Sequence, residues 1–463
     1  MDDSTLERMI CRGVDVLRAS DPDLHQLLVR EMDRQATVLS MVASSSVVPP
    51  SVLACEAATA VNVTAEGYPG ARFHAGCAVI DEIETLAVER AKTAFRARYA
   101  NVQPHSATTA NQLVMCSLLR PGDTLLGMEL DSGGHLTHGA PASLSGQYFR
   151  AVGYGLTANG TIDFDRVRAL ALEHRPRLIV CGTTAYSRVL DFARFRAIAD
   201  EVGAYLLADI THVAGLVVAD LHPSPIDLAH VTTTCTHKQL YGPRGGLVLA
   251  GRDHDSPSPV PGRSLAQHLQ SAVFPFFQGA PDLNSIAAKA HAFQRLLTPE
   301  FRRLAGRIVE DARALASSFL ERGHRVMSGG TDNHLVVLDV AACGLTGVIA
   351  EKALEECGIV VNKNRIVGDS RPATVTSGIR LGTNSLASRG LGPEEMPRCA
   401  ELVDRVLRGV RAQGERSYDL DPAVRLAVRA EVRELCARFP LDSYRLGEPD
   451  ASGRPALSEA GLP

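Results

Sequence analysis

Across residues 81–99 the apolar positions Ile83, Leu86, Ala87, Ala91, Ala94 and Phe95 recur at three- and four-residue spacing, which predicts an amphipathic helix. Further along the chain the pattern changes. Short apolar runs at 124–128, 178–181, 205–208, 231–234 and 247–250 alternate with polar stretches of helical spacing at 164–174 and 192–203. Runs of this length between helices read as strands buried on both faces, so residues 51–290 are expected to form an α/β domain around a mostly parallel sheet. Residues 1–50 read as a helical arm ending in a Ser/Pro-rich loop. The Pro-rich stretch 254–262 reads as a surface loop. A long helical stretch over 283–322, a strand at 334–340, a helix near 347–357 and a strand at 379–381 then predict a smaller α+β domain over 291–445. Residues 446–463, rich in Pro, Gly, Ser and Asp, read as a mobile tail.

Composition narrows the classes. With 45% apolar and 22% charged residues over 463 positions, the chain can bury a large core without staples. A formal net charge of −4 gives no general pull towards nucleic acid or anionic membrane. The ten cysteines include no CxxC pair, and several sit in apolar runs, so disulfides and metal ligation are not expected. There is no secretory h-region and no apolar run of spanning length, so a cytoplasmic protein is expected.

The chemistry concentrates around Lys238. It follows the β-branched run Val231–Cys235 and precedes a Gly/Pro turn, which places an amine at a strand end. A desolvated lysine there can form a Schiff base; an exposed lysine beside a hairpin turn is the plainer alternative. Asp209 ends the run before it. A carboxylate there suits a pyridine nitrogen, although it could equally cap the next helix.

At this point the chain resembles the serine hydroxymethyltransferase family over about residues 20–440. The matching stretches include AEGYPGARFHAG (65–76), YANVQPHS (99–106), GGHLTHG (133–139), DITHVAGL (209–216), TTTCTHK (232–238), GPRGG (242–246), VNKN (361–364) and TSGIRLGT (376–383). The resemblance implies a pyridoxal 5'-phosphate (PLP) enzyme of fold type I with tetrahydrofolate as co-substrate. It implies Lys238 as the Schiff-base lysine, Asp209 against the pyridine nitrogen, His135 stacked on the ring and His212 near its phenolic oxygen. Ser106, Ala107 and Thr108 would hold the phosphate, with His237 beside them and Thr184 near the ring. Arg380 would grip the substrate carboxylate, and Glu66 would move protons at the hydroxymethyl group. Leu130, Gly134, His135, Leu136, Asn364 and Phe274 would meet the folate. Phe274 and the Gln278-Gly279 turn would enter a neighbouring subunit's site, with Gly279 and Ala280 meeting its cofactor, which implies a homodimer or homotetramer.

The chain departs from the family around the substrate rather than the cofactor. Ser44 is kept, but Ser45 and Ser46 follow it where the family has Glu-Asn. Thr64 and His74 replace two tyrosines, and Ser132 replaces a histidine. Loss of a ring at position 64 opens room for a substituent on the α-carbon, as in α-methylserine hydroxymethyltransferases. The retained Glu66, Lys363, Asn364 and Phe274 favour folate use over a folate-independent threonine aldolase or transaldolase. The intact Lys238, Asp209, His135 and Arg380 argue against an inactive binding paralogue.

Overall fold

A computed structural model describes residues 4–441; the expected tail at 446–463 lies outside them. Seven strands form the main sheet: β1 (Tyr99–Asn101), β2 (Thr124–Met128), β3 (Arg150–Tyr154), β4 (Leu178–Gly182), β5 (Tyr205–Asp209), β6 (Val231–Cys235) and β7 (Gly246–Ala250). Their order is β1-β7-β6-β5-β4-β2-β3, parallel from β6 to β3, with β7 antiparallel to both neighbours. All five residues of β4, β6 and β7 are buried, which is why these segments read as continuous apolar or β-branched runs.

Two short helices, α1 (Thr5–Ser20) and α2 (Pro22–Thr37), form the N-terminal arm and bury none of their residues. The helix expected over 81–99 is α3 (Ala78–Phe95). It stops earlier than its periodicity suggested because Arg96 turns left-handed at φ 56°, and Tyr99 then opens β1. Helix α4 (Ala107–Leu118) follows β1 with Ser106 as its N-cap. The stretch expected as one helix over 283–322 is two, α5 (Leu283–Leu296) and α6 (Pro299–Glu321). Pro299 cannot donate to the preceding turn, and the Thr298 side chain instead caps α6 by accepting from the Phe301 amide.

A second sheet has the order β8-β9-β11-β10, all antiparallel, from β8 (Arg325–Val326), β9 (Leu335–Asp339), β10 (Asn362–Asn364) and β11 (Gly378–Gly382). Each sheet has its own apolar core. Helix α6 serves both, with Phe301, Ala305, Ile308 and Val309 in the first and Leu315, Ala316 and Phe319 in the second. Leu39 and Met41 also pack into the second core, where Leu39 pairs with Ile359.

Candidate active site

The carboxyl ends of β4, β5 and β6 deliver the central side chains, the usual place for ligands on a parallel sheet. Asp209 is the last residue of β5, and Lys238 lies three residues beyond β6. Lys238 Nζ sits 2.8 Å from His212 Nε2. Burial pushes the Lys238 amine below the usual lysine range, against the opposing pull of Cys235 and Asp209. A lysine so placed is nearer its neutral, nucleophilic form.

Asp209 is buried yet ionised. Burial works against its charge, but hydrogen bonding and charge from His138 outweigh it and hold the carboxyl well below the usual range. His138 Nε2 and Asn111 Nδ2 lie 3.0 Å and 2.8 Å from Oδ2, while Oδ1 accepts the Thr211 amide at 3.0 Å. Asn111 organises more than one partner. Its second N–H donates to Thr137 Oγ1 at 2.9 Å, and its carbonyl accepts from Thr233 Oγ1 at 2.5 Å. Thr137 Oγ1 is in turn 2.7 Å from His135 Nδ1. The His135 ring is thereby fixed, and burial takes it down to about 4, so it is neutral near pH 7.

The loop carrying His135 lies tight against β2. Gly133 takes φ 95°, and a Cβ on Gly134 would stand 2.1 Å from the Met128 carbonyl. Thr184 straps this loop: its amide donates to Gly133 O at 2.7 Å and its hydroxyl to Gly134 O at 3.0 Å. The Thr184 carbonyl accepts from Arg380 Nη1, and Arg380 Nε donates to Asn362 Oδ1 at 3.0 Å. Arg380 is only 8% exposed, and burial alone brings its guanidinium down to about 10. Among the described residues it makes no ion pair with a carboxylate. A buried fork without an anion is a receptor for one.

Ser106 Oγ accepts the Thr109 amide at 3.0 Å, which leaves the Ala107 and Thr108 amides without a partner among the described residues. Two free N–H groups at the start of a twelve-residue helix suit a phosphate. His237 Nε2 lies 3.4 Å from Arg244 Nη1, and Ser46 Oγ donates to the His237 carbonyl at 2.8 Å. Ser44 follows Ala43, whose carbonyl meets Asn384 Nδ2 and His334 Nε2, each at 3.1 Å. The His334 ring stacks on His212 at 5.8 Å.

The remaining expected residues gather elsewhere. His74 Nε2 is 3.6 Å from Glu66 Oε2, a Cβ on Gly279 would touch Glu66 Oε1 at 3.2 Å, and Phe274 packs edge-on to Phe73 at 5.6 Å. Thr64 and His74 are exposed, and Ala280 O lies 3.2 Å from His105 Nε2. Within one chain this group borders the phosphate loop, and among the described residues it has no hydrogen bond or ion pair with the Lys238 cluster. Leu130 and Leu136 are 41% and 49% exposed on either side of Gly133-Gly134, and Arg365 pairs with the adjacent Asp131 at 2.6 Å. Asn364 lies on β10 with its Nδ2 donating to Arg365 O at 2.6 Å.

Sequence reasoning missed Asn111, His138 and Asn362. His138 was visible as the second histidine of GGHLTHG, and Asn111 as a polar residue on the buried face of α4. The donor set fits PLP. Unpartnered helix amides suit its phosphate, a lone pair left on ionised Asp209 suits a protonated ring nitrogen, and a depressed lysine suits its aldehyde.

Comparison with known proteins agrees. The family model for serine hydroxymethyltransferase matches residues 17–403. A serine hydroxymethyltransferase of Synechococcus sp. is 47% identical over 439 residues, covering 92% of this chain and 97% of its own. Those of Zymomonas mobilis and Rhodospirillum centenum are also 47% identical, over 428 and 429 residues, covering 92% of this chain and 97% and 96% of theirs. With a match across nearly its whole length, the chain belongs to the serine hydroxymethyltransferase family, fold type I PLP-dependent enzymes.

Proposed function

We propose that this hydroxymethyltransferase interconverts serine and glycine with tetrahydrofolate, using residues from two subunits at each site. The observation that carries the amino-acid half is Arg380, a buried guanidinium with no carboxylate partner among the described residues. It binds the substrate carboxylate and fixes the amino acid's rotation about Cα. Thr184, which accepts from Arg380 and straps Gly133-Gly134, keeps that grip in register with His135.

PLP, when bound, supplies an electron sink for the pair left on Cα as the bond to the hydroxymethyl carbon breaks. Lys238 would hold it through its amine, and the amides of Ala107 and Thr108 with Ser106 and His237 would hold its phosphate. Asp209 keeps the ring nitrogen protonated because Asn111 and His138 keep Asp209 charged. Neutral His135 would lie against the ring, and His212, 2.8 Å from Lys238 Nζ, would exchange a proton with it. Glu66 moves the proton of the substrate hydroxyl from the neighbouring subunit, with Thr64, His74, Phe274, Gly279 and Ala280 on the same face. Grouping of these residues apart from Lys238 supports a homodimer or homotetramer with shared sites. The exposed Leu130 and Leu136, with Asn364 and Ser44 at the margins, receive the pterin and the amino acid. No described helix is long and apolar enough to cross a membrane, and all ten cysteines are free, which supports a cytoplasmic location.

Thr64 and His74 favour a second substrate, α-methylserine, because a missing ring leaves room beside Cα. Cleavage of serine, α-methylserine and threonine, each with and without tetrahydrofolate, separates the readings. Folate-dependent serine cleavage is expected. Folate-dependent cleavage of α-methylserine alone selects the second reading, and folate-independent threonine cleavage with no folate-dependent cleavage of either hydroxymethyl amino acid would sink both.

A further inference from the structure

Lys289 is the one lysine among the largest fully buried side chains, at 1% exposure on the inner face of α5. Its ammonium donates to three backbone carbonyls: Val102 at 2.5 Å, Gly246 at 3.0 Å and Pro104 at 3.2 Å. It makes no ion pair among the described residues. Those carbonyls belong to the segment entering the phosphate loop and to the first residue of β7. Pro104 O also accepts the Gly246 amide at 2.8 Å, and a Cβ on Gly246 would stand 2.2 Å from Ser106 O. The ammonium therefore lies one layer beneath Ser106, Ala107 and Thr108.

A structural tie between two segments does not require a charge. Burying an ammonium without a counter-ion costs several kcal/mol, and a neutral side chain of similar size would avoid that cost. The start of α4 is itself the positive end of a helix, so ammonium and helix end oppose each other until an anion arrives. A dianion at Ala107 and Thr108 satisfies both.

We propose that Lys289 is a positioning residue for the cofactor phosphate, clamping the loop from below and tuning it for a dianion. The proposal rests on the PLP assignment and adds a charge that touches neither cofactor nor substrate. Burial brings the Lys289 amine down to about 7, despite the opposing charges of Asp282 and Glu84. Phosphate binding then draws a proton onto Lys289 at mildly alkaline pH.

The test uses the full-length apo-protein and its Lys289→Met and Lys289→Gln variants, titrated with PLP, with pyridoxal and with inorganic phosphate. Affinity for PLP and for inorganic phosphate should fall about tenfold in both variants, the size of one favourable charge near a helix end. Affinity for pyridoxal, which lacks the phosphate, should not change. Equal losses for pyridoxal and PLP would reduce Lys289 to a scaffold tie and overturn the proposal, as would no loss at all. Should neither variant fold, calorimetry of inorganic phosphate binding to wild-type protein, in two buffers of different ionisation enthalpy at mildly alkaline pH, decides it. Net proton uptake is expected, and none overturns it. Wild-type protein that binds inorganic phosphate but gives no visible band with PLP would overturn the cofactor assignment instead.

Discussion

Asp311 offers a test of the second core. It lies on α6 with no solvent exposure, and neither carboxylate oxygen has a hydrogen-bond partner among the described residues. Burial raises its carboxyl to about 8, with Arg307 opposing and Glu310, Glu394 and Glu395 adding to the rise. In the unfolded chain the same group returns to its ordinary 3.8. Between those values the folded chain binds a proton that the unfolded chain does not, so stability falls as pH rises through that window. At pH 7 the gap of about three units costs about 4 kcal/mol as an upper bound, at roughly 1.4 kcal/mol per unit. Asp311→Asn keeps a buried polar group of the same shape, with an amide in place of the acid's hydroxyl, and removes the titration. The variant should be the more stable by up to that amount at about pH 7, and its advantage should shrink at roughly 1.4 kcal/mol per unit on acidification. Urea midpoints and Tm from about pH 5 to about pH 8, at fixed protein and PLP concentration, measure the difference. A difference independent of pH, or a wild type more stable at the alkaline end, would refute the reasoning.

Other expectations concern the site. Lys238→Ala should lose the visible PLP band and at least about a hundredfold in kcat, read by spectrophotometry and the folate-coupled assay. Arg380→Lys replaces a planar fork with a point charge and should raise KM for serine about tenfold to a hundredfold, with the PLP spectrum unchanged. His138→Phe removes the largest favourable support of the Asp209 charge and should lower kcat about tenfold, with a shift of the PLP band. Glu66→Gln subunits mixed with Lys238→Ala subunits should recover activity if sites are shared, whereas no recovery above either parent would count against a shared site.

What could be read from the sequence depended on the range of the signal. The strand that ends in Asp209 and the one that precedes Lys238 announce themselves because strands buried on both faces read as continuous apolar or β-branched runs. The ends of α3 and α6 did not, since Arg96 adopts a left-handed turn that periodicity ignores and Pro299 starts a new helix inside an unbroken apolar pattern. Hydrogen bonds link Lys238 to His212, Thr184 to Arg380, and His135 through Thr137 and Asn111 to Asp209. Asn111 and Asn362 stayed hidden because their meaning lies in partners 98 and 18 positions away. The separation of Glu66 and His74 from Lys238 is likewise a tertiary fact that no local spacing encodes.

Helix α6, whose two halves lie in different cores, has a practical consequence for anyone cutting or rewiring this gene. Thr383 Oγ1 donates to the carbonyl of Ile308 at 2.6 Å, so β11's far end is tied to the same rod. Fragments split near residue 298 would each expose a strip of apolar surface and should be insoluble apart, yet able to complement when co-expressed. Fusion partners and reporter insertions belong instead in the exposed 257–262 excursion, which no core residue crosses.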